Sequence, residues 1–109
     1  MSQKLILSIV TPEKQLVAEE VDQVNVPGIE GDLGILFDHA PNMTNLRSGQ
    51  MAYEKDGETI ALVVSGGYLE GSENRVPVLA ETGQFLHQND RKRATRTHAR
   101  AEKYRLNDA

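Results

Sequence analysis

Residues 51–64 read MAYEKDGETIALVV, and this stretch decides the fold class. Two runs, at 51–55 and 59–64, flank Asp56 and Gly57. This dipeptide tolerates positive φ at both turn positions, as a two-residue β-hairpin requires, so the stretch predicts a hairpin. Residues 61–64 are continuously apolar, which indicates a strand that is covered on both faces.

Short apolar runs of the same kind lie on both sides of the hairpin. Residues 5–10 alternate between two faces and stop at a Thr-Pro step, and residues 21–26 form a second run that a Pro-Gly step closes. Residues 75–80 alternate again. Pro77 within them cannot donate to a ladder, which predicts an edge strand or an unpaired position. Strands this short and this regularly punctuated are typical of a β-sandwich or barrel.

The composition of the chain changes near residue 83. All nine glycines and all four prolines lie at or before this position. Residues 1–84 carry thirteen acidic and five basic side chains, whereas residues 85–109 carry three acidic and seven basic ones. We therefore predict a mainly β chain with two parts, a β-sandwich at 1–84 and a single C-terminal α-helix forming a basic arm at 85–109.

The predicted arm has the pattern of an amphipathic helix. Asn89 or Asp90 can cap its N-terminus, and two alanines, a threonine and Tyr104 share one narrow stripe. Its basic residues cluster on the far side, as Lys92, Arg93, Arg96, Arg100 and Lys103. Because the apolar stripe is thin and an isolated helix of this length is only marginally stable, we expect the arm to be mobile or to need a partner.

Composition and motifs argue against an enzyme. The chain of 109 residues has no cysteine, which excludes disulfides and cysteine nucleophiles. No apolar stretch approaches the roughly 18 residues of a membrane span. The sequence has no phosphate-binding loop, HExxH or GxSxG motif, and its three histidines lack metal-ligand spacing. We expect a soluble, non-catalytic protein that has no metal and no signal peptide.

Five segments occur in an order that is specific to one family. They are VTPEK at 10–14, VPGIEGDLGIL at 26–36, HAPNMTNLRSGQM at 39–51, VVSGGYLEG at 63–71 and RVPVLAET at 75–82. Single motifs of this kind are weak, but the ordered set is specific. The set resembles the epsilon subunit of the F-type rotary ATP synthase, which is called delta in mitochondria.

The resemblance implies an N-terminal β-sandwich of about ten strands followed by C-terminal helices. It implies a non-catalytic subunit that binds the gamma subunit and the c-subunit ring at the foot of the rotating central stalk. Such a subunit helps to couple proton flow to ATP synthesis, and its C-terminal helices can restrain ATP hydrolysis. The expected location is the cytoplasmic face of the bacterial inner membrane, where the subunit is peripheral and is held only through the complex; a plastid-encoded subunit is the weaker alternative.

Four residues carry the contacts that the resemblance implies. Glu30 and Asp32 match the loop that meets the c-ring, and their alternative role is that of a solvated turn. His39 lies beside the region that meets gamma and the ring, and a structural role as a cap of the next turn is equally open. Phe37 and Asp38 stand where the family usually has Pro-Gly, and Phe37 is predicted to supply an apolar contact.

The arm departs further from the family. Asp90 and Arg93 match the [IL]-D-x-x-R-A motif that is associated with ATP binding in some bacterial members, but Asn89 replaces the apolar residue. Because the sequence runs only to Ala109, shortly after Leu106, we expect it to lack the second C-terminal helix, which supplies part of the nucleotide site in relatives. We therefore expect no ATP binding and no cofactor, and Asp90 can instead favour the helix dipole.

Three roles stay open for the basic face of the arm. It can approach acidic segments of the catalytic beta subunits as a regulatory brake, or it can lie on the acidic sandwich of its own chain. The third role belongs to a different class of protein, a small β-sandwich module that grips nucleic acid with its basic helix. The acidic body and the lone aromatic residue of the predicted helix, Tyr104, count against a nucleic-acid partner.

Overall fold

The computed structural model describes residues 4–38 and 43–87 of the chain. Within these residues the chain forms ten β-strands and no helix. The strands are β1 (Leu5–Val10), β2 (Gln15–Val21), β3 (Gln23–Gly28), β4 (Gly31–Ile35), β5 (Thr44–Leu46), β6 (Gly49–Lys55), β7 (Glu58–Val64), β8 (Gly67–Leu69), β9 (Arg75–Ala80) and β10 (Gly83–Phe85). The mainly β prediction is therefore confirmed. The predicted helix falls outside the described residues except at 85–87, where Phe85 belongs to β10, and the division at 84/85 stays a prediction.

The strands form one hydrogen-bonded network that folds back on itself as a sandwich. Its order is β10-β7-β6-β3-β5-β8-β9-β1-β2, with β4 on the other side of β3. Neighbouring strands are antiparallel except β1 and β9, which run parallel. The two ends of this path lie close together, because a Cβ on Gly83 of β10 would stand 2.6 Å from Cδ1 of Leu16 in β2.

One apolar core lies between the two halves of the network. Each strand contributes alternate side chains to it, as in β1, where Leu5, Leu7 and Ile9 are fully buried. Leu62 of β7 joins the same cluster from the other half, and Phe85 of β10 packs against it. The last described strand is therefore tied to the core by its side chain as well as by its ladder.

The hairpin at 51–64 forms as predicted. β6 and β7 pair along their whole length, and Asp56 and Gly57 take φ angles of 51° and 83° in the turn. The prediction that residues 61–64 are covered on both faces is wrong, because Val63 lies on the outer surface and is 44% exposed. A β-branched side chain suits a half-exposed strand position, so the apolar run reflects strand propensity as well as burial.

Pro77 lies in a central strand, where it pairs with Ser8 of β1 and is unpaired on the side of β8. β9 runs between β8 and β1, so the edge-strand alternative is wrong. Pro77 stands one residue beyond the last pair of β8 and β9, Leu69↔Val78. Its carbonyl accepts a hydrogen bond from the N–H of Glu70 at 3.2 Å, beyond the end of β8. The missing N–H of proline therefore removes no ladder bond there, which confirms the second alternative.

Pro27 does not close a strand, contrary to the expectation for the run at 21–26. Val21 ends β2, and β3 then begins at Gln23 and continues through Pro27 to Gly28. The Pro27 carbonyl accepts a hydrogen bond from the N–H of Arg47 at 2.9 Å. Arg47 lies in the irregular step between β5 and β6. Because the N and C=O of a strand residue face the same neighbour, the missing N–H faces this step, where regular pairing is interrupted.

Candidate functional site

The hairpin of β3 and β4 carries two of the predicted site residues at its end. Gly28 and Gly31 form its last pair, so Ile29 and Glu30 make the turn. Gly31 has a φ of 139°, a conformation that residues with a side chain rarely adopt. Ile29 is 63% exposed, and Glu30 is exposed beside it. The hairpin tip, by which we mean residues 28–33, therefore presents an apolar and an acidic side chain together.

The two acidic residues of the hairpin tip have different surroundings. The Asp32 carboxylate accepts a hydrogen bond from the Arg47 guanidinium, with Oδ1 2.5 Å from Nη2. Glu30 has no ion pair within the described part of the chain. Sequence analysis missed Arg47, because it lies 15 residues from Asp32 along the chain and no spacing rule joins them. The fold thus pairs Asp32, whose side chain is 77% exposed, with a cation of the same chain and leaves the likewise exposed Glu30 without one among the described residues.

Phe37 and Asp38 follow β4, where the chain leaves the sheet. Phe37 is half-buried, so only part of its ring is available to a partner. Asp38 has a φ of 68°, and its N–H donates a hydrogen bond to Oδ1 of Asn74 at 2.8 Å. Aspartate tolerates this left-handed conformation better than most residues that carry a side chain, so Asp38 can occupy a position that would otherwise favour glycine. His39 lies outside the described residues, and its role stays a prediction.

The outer surface of β8, β9 and β1 exposes several apolar side chains, and Ser8 and Arg75 lie on the same surface. Tyr68 pairs with Leu79, and Leu79 pairs with Val10, so these side chains lie side by side across three strands. Tyr68, Leu79 and Ile6 are 38%, 41% and 44% exposed. We call these four residues the apolar face. It continues into an open groove of about 520 Å³ that is lined by Val10, Thr11, Pro12, Gly67, Tyr68, Leu79, Ala80 and Glu81.

Glycine at position 67 lets the backbone of β8 approach the paired strand β9 closely beside the apolar face. Gly66 and Gly67 connect β7 to β8 with φ angles of 71° and 129°. A Cβ on Gly67 would collide with the carbonyl oxygen of Leu79 and would stand 2.8 Å from Cα of Ala80. Ser65, just before them, shares a hydrogen bond between its Oγ and Oγ1 of Thr82. The Ser-Gly-Gly segment therefore forms the bend between β7 and β8, and Gly67 also lines the groove.

The outer surface on the other half of the sandwich is mainly polar. Gln84 of β10 pairs with Val63 of β7, which pairs with Gln50 of β6. Gln23 and Asn25 of β3 continue this surface and are joined by a side-chain hydrogen bond of 3.3 Å. Among the described residues of these four strands, Val63 is the one large apolar side chain that is exposed. Since contiguous exposed apolar surface marks interaction sites, the apolar face is the better candidate.

A charged cluster lies at the opposite end of β3 from the hairpin tip. Nζ of Lys4 is 2.6 Å from Oδ1 of Asp22 and 3.3 Å from Oδ1 of Asp56. The hydrogen bond from Lys4, together with the one from the Asp56 N–H, lowers the pKa of Asp22, and the bond to Asp22 raises the pKa of Lys4. Nearby, Nζ of Lys55 is 3.3 Å from Oε2 of the buried Glu19. These pairs join strands, which indicates a structural role.

Several predicted features fall outside this geometry. The described residues contain no group of three or more His, Asp or Glu side chains that could hold a metal ion. No helix among them is long and apolar enough to cross a membrane. The expected nucleotide-motif residues and the basic face of the arm lie in the part of the chain that is not described, namely Asp90, Lys92, Arg93, Arg96, Arg100 and Lys103. Their roles stay predictions.

A family model and several relatives match most of this chain, and all of them describe the same family of proteins. The family model of the ATP synthase delta/epsilon chain β-sandwich domain matches residues 4–85. The chain is 42% identical over 102 residues to the ATP synthase epsilon chain of Nitratidesulfovibrio vulgaris (strain DP4), which covers 94% of this chain and 76% of the relative. It is 45% identical over 101 residues to the ATP synthase epsilon chain of Desulforamulus reducens, which covers 93% of this chain and 76% of the relative.

Two solved structures share the fold. A chain of the Euglena gracilis mitochondrial ATP synthase, in a structure of its OSCP, F1 and c-ring, matches with a TM-score of 0.74 at 20% identity, over 88% of this chain and 62% of that one. A chain of the Tetrahymena thermophila mitochondrial ATP synthase, from its central stalk and c-ring, matches with a TM-score of 0.64 at 14% identity, over 92% and 97%. At these identities the likeness concerns the fold.

Proposed function

The chain belongs to the family of ATP synthase delta/epsilon chains, and on this premise we propose how its surfaces act. Its function is that of an epsilon subunit of the ATP synthase central stalk, which couples proton-driven rotation to ATP synthesis. We propose that the sandwich docks on the gamma subunit through the apolar face and on the c-subunit ring through the hairpin tip. The observation that carries this division is the contrast between the apolar and the polar outer surfaces.

The apolar face supports the contact with gamma. Ile6, Tyr68 and Leu79 expose apolar side chains on one surface, next to an open groove. Covering such surface is favourable by roughly 25 cal/mol per Å² of apolar area removed from water. The four strands of the polar outer surface expose one comparable side chain among their described residues, Val63, and Leu86, directly after β10, is 43% exposed as well. A groove in a sheet surface suits a partner that presents a ridge of apolar side chains, as an α-helix does.

The hairpin tip supports the contact with the c-ring. Ile29 and Glu30 project from the end of β3 and β4 and are free to meet another surface. Exposed ion pairs contribute only about 0–1 kcal/mol each, so a charge at the tip sets the register of the contact more than its strength. Phe37 and His39 follow β4 in the sequence, and they are proposed to extend this contact towards gamma.

The proposed part of the subunit in ATP synthesis is mechanical. It is proposed to contribute no catalytic residue and to hold no cofactor, so that it acts by binding gamma and the ring rigidly. Since the complex is associated with a membrane, the proposed location is peripheral, on the cytoplasmic face of the bacterial inner membrane. Gamma and the c-ring would hold the chain there without any contact of its own with lipid.

The basic arm adds a regulatory role to the proposal. Acidic segments of the catalytic beta subunits would attract its face of Lys92, Arg93, Arg96, Arg100 and Lys103, and such a contact would restrain ATP hydrolysis. Resting on the acidic sandwich of its own chain is the competing state of the arm. The nucleic-acid alternative is not retained, because the family match covers residues 4–85 and the acidic body would repel phosphates.

Gel filtration with light scattering of the full chain mixed with its gamma subunit tests the proposal. Leu79→Lys places a charge in the apolar face, and we expect it to weaken binding by tenfold or more, because burying an unpaired charge is strongly unfavourable. Val63→Lys is the matched control, since the two side chains are 41% and 44% exposed on strands of opposite outer surfaces. Equal binding by both variants overturns the assignment of the apolar face. Failure of the unmodified chain to co-elute overturns the contact with gamma.

A further inference from the structure

We infer that Arg47 is a positioning residue of the hairpin tip, which holds Asp32 within the chain and leaves Glu30 as the carboxylate that meets a partner. The inference rests on the proposed contact between the hairpin tip and the c-ring. It gives different roles to two acidic residues that are equivalent in the sequence. Asp32 becomes an internal anchor, and Glu30 becomes the external contact.

Arg47 is seated from two sides. Its N–H donates a hydrogen bond to the Pro27 carbonyl at 2.9 Å, which ties its backbone to β3. A Cβ on Gly49 would stand 3.1 Å from Nη1 of Arg47 and 3.1 Å from Cβ of Pro27. The guanidinium therefore passes over a residue without a side chain, next to Pro27, on its way to Asp32. Because these contacts already restrict the long side chain, less conformational entropy is lost when it pairs.

The ion pair spans β3, from β4 on one side to the segment between β5 and β6 on the other. Asp32 of β4 pairs with Pro27 of β3, and the Pro27 carbonyl bonds to Arg47 on the opposite side of β3. The three residues thus form a row across the sheet, and the side chains of Asp32 and Arg47 meet over its middle member. β4 pairs with β3 alone in the described part of the chain. The bridge is therefore a second tether for a strand whose outer edge is open.

Glu30 is the charge that this arrangement presents to a partner. Arg47 compensates Asp32, so the hairpin tip carries one uncompensated negative charge, next to Ile29, which is 63% exposed. The partner surface that fits such a tip offers one cationic side chain beside an apolar patch. A partner with two adjacent cations would leave one of them unpaired, which is unfavourable once the contact excludes water.

Amide NMR spectra of the full free chain test the internal bridge. We expect Arg47→Gln and Asp32→Asn each to shift the signals of residues 29–31, and the double variant to shift them no further, because both changes remove the same bridge. Glu30→Gln is the matched control, since it neutralises a neighbouring carboxylate and should leave the guanidinium signals of Arg47 in place. Additive shifts in the double variant, or unchanged signals in the single ones, overturn the inference.

The salt dependence of binding to a purified gamma and c-ring assembly tests the external contact. Glu30→Gln is expected to weaken binding roughly two- to five-fold and to reduce its salt dependence. The double variant Arg47→Gln/Asp32→Asn keeps the single negative charge of Glu30, so its salt dependence should match that of the wild type. The reverse pattern overturns the inference. Failure of the wild-type chain to bind at all overturns the proposed contact instead, while the NMR coupling of Arg47 with Asp32 would stand.

Discussion

Gly67 is the glycine at which an added Cβ would come closest to a neighbouring atom, and its replacement is the sharpest test at the scale of single residues. Gly67→Ala adds a Cβ that collides with the backbone of Leu79 at a φ of 129°, so we expect a loss of about 3–4 kcal/mol in the free energy of unfolding. Gly57→Ala is the control, because its φ is 83° but no atom lies within 4 Å of the added Cβ. It should cost about 1 kcal/mol. Equal losses in urea titrations would show that close approach is not the reason for glycine at 67.

Asp22 makes stability depend on acid. The Lys4 hydrogen bond lowers its pKa in the folded chain, so the unfolded chain binds the proton more readily. The stabilisation is complete above the ordinary aspartate pKa of about 4 and disappears as the pH falls through the lower folded value. Asp22→Asn should therefore lower the midpoint of thermal unfolding at pH 6. The difference in midpoint between the variant and the wild type should become smaller as the pH falls towards 2. A difference that is constant over this range would contradict the role of the charge.

The sequence predicted that Glu30 and Asp32 lie in a loop, but not how they are held. Gly28 and Gly31 flank Ile29 and Glu30, and turn chemistry alone places that pair at a hairpin end. The bond between Arg47 and Asp32 depends on β5 and β4 lying on opposite sides of β3. Such a contact follows from the strand order, which no local pattern in the sequence encodes.

At the scale of elements, the buried pair of Glu19 and Lys55 joins β2 to β6. The Glu19 side chain is 1% exposed, and its Oε1 has no hydrogen-bond partner in the described structure. Lys55 therefore supplies the cation that balances the charge of this carboxylate. Lys55→Met leaves a buried carboxylate without its cation, and we expect a loss of about 3 kcal/mol in the free energy of unfolding. The double variant Glu19→Leu/Lys55→Met should recover most of it. Lys4→Met, which breaks exposed pairs, is the control and should have a much smaller effect. A double variant no more stable than Lys55→Met would contradict this account.

Most of the strands could be predicted from the sequence. The wrong expectations for two prolines, a strand end at Pro27 and a sheet edge at Pro77, share one cause. Residues 5–10 and 75–80 alternate as expected and form β1 and β9. Pro27 and Pro77 were interpreted as marks of a strand end or a sheet edge, but each lies where a neighbouring strand stops or steps aside. Local propensity shows that proline lacks a donor, whereas the strand order decides whether a donor is needed at that position.

At the scale of the whole molecule, the sandwich has two unlike outer surfaces. Alternation assigned Val76, Val78 and Ala80 to one face of β9, and all three are buried. It left Leu79 on the other face without indicating that Tyr68 and Val10 lie beside it. The apolar face is assembled from strands that are far apart in the chain, so only the folded structure shows it as one surface.

The position of β10 makes a prediction about where the folding unit ends. A chain that ends at His87 keeps all ten described strands and the packing of Phe85 on the core, so we expect its unfolding temperature to match that of the full chain. A chain that ends at Glu81 leaves the edge of β7 unpaired and removes Phe85, and it should unfold roughly 5–15 °C lower. Circular dichroism melts of the three chains measure both differences.

Because the apolar face and the hairpin tip lie before Glu81, the chain that ends at His87 should also co-elute with gamma as the full chain does. If it folds at the same temperature but fails to bind, the contact with gamma lies in the basic arm and not in the sandwich.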